Sequence, residues 1–124
     1  MALAEFSAGR HCPTHWRSLA DTANMAESLA ALGIGKGADA QAVITQAKAA
    51  LAQVDTRHTQ RNSWTLYAAE LDALQWLLTL HQVQLAQCTY TEFERAFNDT
   101  RNRIAQARAG NPPAHAVIVE GEIA

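Results

Sequence analysis

Apolar residues return every three or four positions along four stretches of this chain, the spacing that gathers them on one side of an α-helix. The first stretch, residues 13 to about 32, places Trp16, Leu19, Ala23, Ala26 and Leu29 on one face. Pro13 suits a first helical turn, where a backbone N–H would lack a partner anyway, and Gly33 suits the exit, where a left-handed residue costs least without a β-carbon. The second stretch, from about residue 39 to 54, carries Ala40, Val43, Ile44, Ala47, Leu51 and Val54, with Asp39 as its expected cap. The polar run 55–62 either extends this helix or forms a loop.

The third stretch is predicted to be the longest helix, residues 64–88, capped by Ser63. Tyr67, Leu71, Leu74, Leu78, His81, Leu85 and Cys88 recur in alternating steps of four and three, a heptad seam. Leu66, Ala73, Leu77 and Leu80 form a second row beside it. Such a helix is apolar over too much of its circumference to touch one neighbour only, so it is expected at the centre of a bundle. Trp76 falls off the seam, and is either packed by a flanking helix or exposed as part of an interaction patch. The fourth helix should begin at Thr89-Tyr90-Thr91-Glu92, which has the form of a capping box. Phe93, Ala96, Phe97, Ile104 and Ala107 are its apolar positions, and it stops at Gly110 ahead of Pro112 and Pro113.

Short connections between four helices predict an all-α, antiparallel four-helix bundle. The bundle should occupy residues 13–110, with an N-terminal arm at 1–12 and a tail at 111–124. Val117, Ile118 and Val119 are β-branched residues in a row, so the tail is expected to be extended or β-like. The seam and the tail both permit a homodimer.

Length and composition sharpen this. The 124 residues suffice for one core, and 48% hydrophobic content is too apolar for a disordered chain. A formal net charge of -2 supplies no global positive field, which makes nucleic acid the less favoured partner. Cys12 and Cys88 are far apart and lack CxxC spacing, consistent with reduced thiols in a cytoplasm and with no disulfide framework. No segment reads as a secretory signal or as the ~20 apolar residues of a membrane span.

Chemistry-bearing residues are sparse. Gly33-Ile34-Gly35-Lys36-Gly37 could present backbone amides to a phosphate, but a Walker loop needs Ser or Thr after the lysine, where this chain has Gly37. Leu29, Leu32, Gly33, Ile34 and Gly35 resemble the hairpin of the helix-hairpin-helix family, although Leu32 abuts Gly33 directly and Asp39 stands where a small residue is expected. The resemblance implies a DNA phosphate gripped by amides near Gly33 and Gly35, with Lys36 adding charge. The plainer reading is a helix C-cap followed by a connection. His11, Cys12, His15, His81 and Cys88 include zinc-ligand types without diagnostic spacing, and Cys12 beside His11 lacks a nucleophile motif, so no metal, cofactor or catalytic residue is assigned and no enzyme is expected. The residues best suited to contact a partner are Trp76, Arg57, Arg61, Arg101 and Arg108, since aromatic and arginine side chains dominate binding hot spots.

In the stretch from His15-Trp16-Arg17 through Gly33-Ile34-Gly35, and in Trp64-Thr65-Leu66-Tyr67, the chain is similar to small Ala- and Gln-rich accessory proteins of proteobacterial phages and mobile elements. The resemblance implies a protein that acts by binding, for example by inhibiting or adapting a host protein or defence complex.

Overall fold

A computed structural model describes residues 13–35, 39–63 and 66–110. These form four helices: α1 (Pro13–Ala31), α2 (Ala40–Arg61), α3 (Ala68–Gln87) and α4 (Tyr90–Arg108), with no strand among the described residues. The expected strap at Val117–Val119, the arm at 1–12, Lys36 and Trp64 lie outside them.

α1 ends as its glycine predicts. Gly33 adopts φ +82°, its N–H donates to the Ala30 carbonyl at 2.9 Å, and the Ile34 N–H donates to the Leu29 carbonyl at 3.1 Å. This crossed pair is a Schellman motif, and its customary hydrophobic contact is Leu29 with Ile34, both buried in one small cluster. α2 continues through the polar run to Arg61 and, at 22 residues, is longer than the 20-residue α3. It ends at Asn62, whose left-handed φ of 53° is one that asparagine tolerates better than most residues. Asp39 occupies the N-cap position of α2, but its side chain makes no capping hydrogen bond.

α3 departs most from expectation. It starts at Ala68 rather than beside Ser63, because the Glu70 carboxylate reaches back to accept the Tyr67 N–H at 2.9 Å and fixes the first turn there. Its buried positions are Glu70, Leu74, Leu77, Leu80 and Gln84. Leu71 and Leu78 of the predicted seam are half-buried, and Tyr67 and Leu85 are exposed. The inward face is therefore rotated toward the second row, and two polar residues complete it. Both are partnered, and burial of a polar group is tolerable only on that condition.

The hub is α1, not α3. It packs against α2, α3 and α4, whereas α3 packs closely on α1 and α2, and α4 packs closely on α1. Ala20, Ala23 and Ala26 are fully buried and let neighbouring backbones approach. One side of α1 joins α2 and α3 in the main core, which includes Trp16, Leu19, Ile44, Leu51, Val54, Leu74 and Leu77. Trp16 also donates its indole N–H to the Leu51 carbonyl at 3.0 Å, so the largest core residue leaves no buried donor unpaired. α4 begins with the expected capping box: Thr89 Oγ1 accepts the Glu92 N–H at 3.1 Å and Glu92 Oε1 accepts the Thr89 N–H at 2.8 Å.

Candidate functional site

Two charged clusters lie inside the fold. In the first, Arg57 of α2 donates Nη1 to Glu70 Oε2 at 2.8 Å and Nη2 to Glu70 Oε1, a two-pronged pair across the α2–α3 interface. The two side chains are only 12% and 5% exposed, and the guanidinium lies 3.9 Å from the centre of the Tyr67 ring. Burial works against the Glu70 charge, but the hydrogen bonds from Arg57 and the Tyr67 amide outweigh it and hold the carboxyl below its ordinary range. Hydrogen bonding to Glu70 likewise holds the Arg57 charge more firmly, raising its pKa. Arg57, expected on a partner-binding surface, is thus committed to holding α3 on α2.

The second cluster joins α4 to α1 and α2. Arg103 pairs with Glu27 through Nη1, donates Nη2 to the Asn24 carbonyl at 2.9 Å and to Ser28 Oγ at 2.6 Å, and places Nε 3.4 Å from Asp99 Oδ2. Ser28 Oγ also lies 2.6 Å from Thr100 Oγ1, and Lys48 of α2 reaches Glu27 Oε1 at 2.9 Å. Burial lowers the Lys48 pKa, with Glu27 acting in the opposite sense. A cleft of about 470 Å³ opens beside this cluster, lined by Glu27, Ser28, Gln41, Asp99, Arg103 and neighbouring alanines. The lining sets two carboxylates, Glu27 and Asp99, against one cation, Arg103, and all three are already engaged in the ion pairs of the cluster.

The glycine connection is also tied inward. The Gly35 N–H donates to Gln87 Oε1 at 3.0 Å, and the Gly33 N–H is used by the Schellman bond. Gly35 sits so close to α3 that an added β-carbon would lie 3.0 Å from Gln84 Cγ. Gln84, fully buried, donates Nε2 to the Ala26 carbonyl at 2.9 Å and accepts from His81 Nδ1 at 3.3 Å. Burial holds the His81 pKa below its usual value, and the Gln84 contact offsets part of that. Among the described residues, no three His, Cys, Asp or Glu side chains come together in a metal-binding group, and His11 and Cys12 lie outside them.

Several large aromatic and basic side chains stand at the surface. Trp76 is 63% exposed, and Val83, seven positions on and hence on the same side of α3, is also exposed. On α4, Tyr90 is 80% exposed and Phe97, expected in the core, is 47% exposed. Phe97 turns outward because α4 buries Ala96, Thr100 and Ile104, and position 97 falls about 100° from Ala96 around the helix. Arg101 lies 5.9 Å from the Phe97 ring centre, and Arg108, seven residues further, shares that flank. Arg61 is exposed at the end of α2. The partner-facing residues expected from the sequence are thus dispersed over three helices, with Arg57 withdrawn into the fold. Tyr90 and Phe97 were missed as surface residues. Their seven-residue spacing, off the Ala96–Thr100–Ile104 row, was the available signal.

Comparisons with family models, curated proteins and solved structures found no match to this chain. No described helix is long and apolar enough to cross a membrane.

Proposed function

We propose that this protein is a non-enzymatic protein-binding module whose helices run antiparallel, and that it acts by docking on a partner through surface aromatics. The observation that carries the reading is the exposure of Trp76, Tyr90 and Phe97, with Arg101 beside Phe97 and Arg108 two turns further along the same flank of α4. Full burial of a large apolar side chain contributes about 1.5–3 kcal/mol, of which these partly exposed rings leave a share unrealised, and such residues anchor interfaces when they are finally covered. The charged clusters support the same reading, because their groups are spent on one another. In keeping with its resemblance to accessory proteins of phages and mobile elements, the module would work in the cytoplasm by inhibiting or adapting a host protein or defence complex.

The test is to measure the mass of the purified protein by light scattering, then mix it with host-cell extract and identify what it retains. One protein at fixed stoichiometry, retained by the parent and lost on Trp76→Ala or Phe97→Ala, is the expected result. Retention of nucleic acid instead, with affinity falling steeply as salt rises, would replace this reading by the DNA-binding alternative through Gly33, Gly35 and Lys36. A homodimer with no other partner would confine the docking surface to a second copy of the chain.

A further inference from the structure

The two sides of α1 are chemically unlike. Toward α2 and α3 it presents Leu19, Ala20, Ala23 and Ala26, part of a large continuous core. Toward α4 it presents Asn24 and Ser28, both buried and polar, each followed by a buried apolar residue, Met25 and Leu29. α4 answers with Thr100, whose hydroxyl meets Ser28, and with Arg103, whose guanidinium holds Glu27, Ser28 and the Asn24 carbonyl. Its buried apolar contribution is small, Ala96 and Ile104 supported by half-buried Phe93, against the many aliphatic side chains that join α1 to α2 and α3. Only Cys88 and Thr89, both extended, separate α3 from α4, so the connection can pivot without unwinding either helix.

We propose that α4 is a detachable latch, which lifts from α1 as one unit while α1, α2 and α3 stay folded on their own core. The proposal does not depend on the protein-binding reading. Water can replace the hydrogen bonds of a polar seam as they open, whereas it cannot replace the packing of Leu19, Ile44, Leu51 and Leu77, so the two interfaces should open at different free energies. The opened state uncovers the strip Asn24, Met25, Ser28 and Leu29, and releases the α4 face that carries Ala96, Thr100 and Arg103. Arg103 is the pin: it belongs to α4, and its partners are on α1 apart from Asp99 of its own helix.

Hydrogen exchange read by mass spectrometry on the whole chain tests this. In the parent, amides of residues 94–108 should exchange at least about tenfold faster than those in the middle turns of α2 and α3, through an opening of α4 as a unit. Arg103→Met should speed α4 by a further factor of about ten or more, the scale of losing hydrogen bonds to a charged group, while α2 and α3 change less than about twofold. A second variant closes the latch: Ser28→Cys with Thr100→Cys, in a background where Cys12 and Cys88 are serine, replaces hydroxyls 2.6 Å apart. Its oxidised form should exchange α4 as slowly as the core, and reduction should restore the parent rate. Equal exchange of all four helices in the parent, or an Arg103→Met effect spread evenly over them, would overturn the proposal, as would α4 rates unchanged between the oxidised and reduced pair.

Discussion

Removing Arg57 should be among the most damaging single changes at any charged position in the protein. Arg57→Met keeps most of the aliphatic volume and takes away both prongs of the pair with Glu70. The Glu70 carboxylate, 5% exposed, would retain the Tyr67 N–H as its remaining described donor. Stranding one member of a buried ion pair costs about 3–5 kcal/mol, and because the Arg57 side chain still reaches water over 12% of its area, the lower end, about 3 kcal/mol, applies. With an unfolding entropy of about 2.1 cal/mol/K per residue, a chain of 124 residues would then lose roughly 10 °C in Tm. Urea unfolding followed by circular dichroism measures the loss directly. Arg57→Met combined with Glu70→Leu should recover most of it, because the penalty lies in the unpaired charge rather than in the lost attraction, and the double-mutant cycle should give a coupling above about 1.5 kcal/mol. A single-mutant cost below about 1 kcal/mol, or strict additivity in the cycle, would refute the view that this pair clamps α3 to α2.

Three further outcomes follow from the same geometry. Gly35→Ala should cost about 1–3 kcal/mol in urea unfolding, since its left-handed φ of +90° is strained for alanine and the new methyl meets Gln84 Cγ at 3.0 Å; a neutral result would mean the connection is free to move away from α3. His81 is half-buried and has a lowered pKa, so the folded state binds its proton less readily than the unfolded chain does. Its contribution to stability is present above the ordinary histidine value of about 6.5 and is lost as pH falls below it, so His81→Gln should flatten the Tm-against-pH curve there while leaving the acid limb due to Glu70, below about pH 4.3. Trp76→Ala should change stability by no more than about 0.5 kcal/mol, because that ring is largely in water, and a larger loss would assign it a packing role instead.

The helices were legible because each carries its own local signals. Gly33, the Thr89–Glu92 box and the three- and four-residue apolar steps all act within a few residues of where they are written. Rotation of a helix about its axis was harder to read. On α3, counting apolar residues favours the row through Leu71, Leu78 and Leu85, yet the fold buries Glu70 and Gln84, whose partners Arg57 and the Ala26 carbonyl are 13 and 58 residues away. A polar residue reads as outward until its partner is known. The same blindness assigned Arg57 to the surface and gave no hint of the seam linking Arg103 to Asn24, Glu27 and Ser28. It also made α3 the centre, since the alanines that let α1 touch three neighbours weigh little on any hydrophobicity scale. Trp76 was the exception: its place off the seam allowed an exposed patch, and it is exposed.

The most direct test of the docking claim is oxidative footprinting of the protein alone and in complex with whatever partner it retains, with Trp16 as the internal buried reference. Docking through surface aromatics predicts that Trp76, Tyr90 or Phe97 falls in reactivity by about tenfold on complex formation, as expected for groups at the dry centre of an interface, while Trp16 stays unreactive throughout. Unchanged reactivity at all three exposed aromatics in a stoichiometric complex would contradict the account.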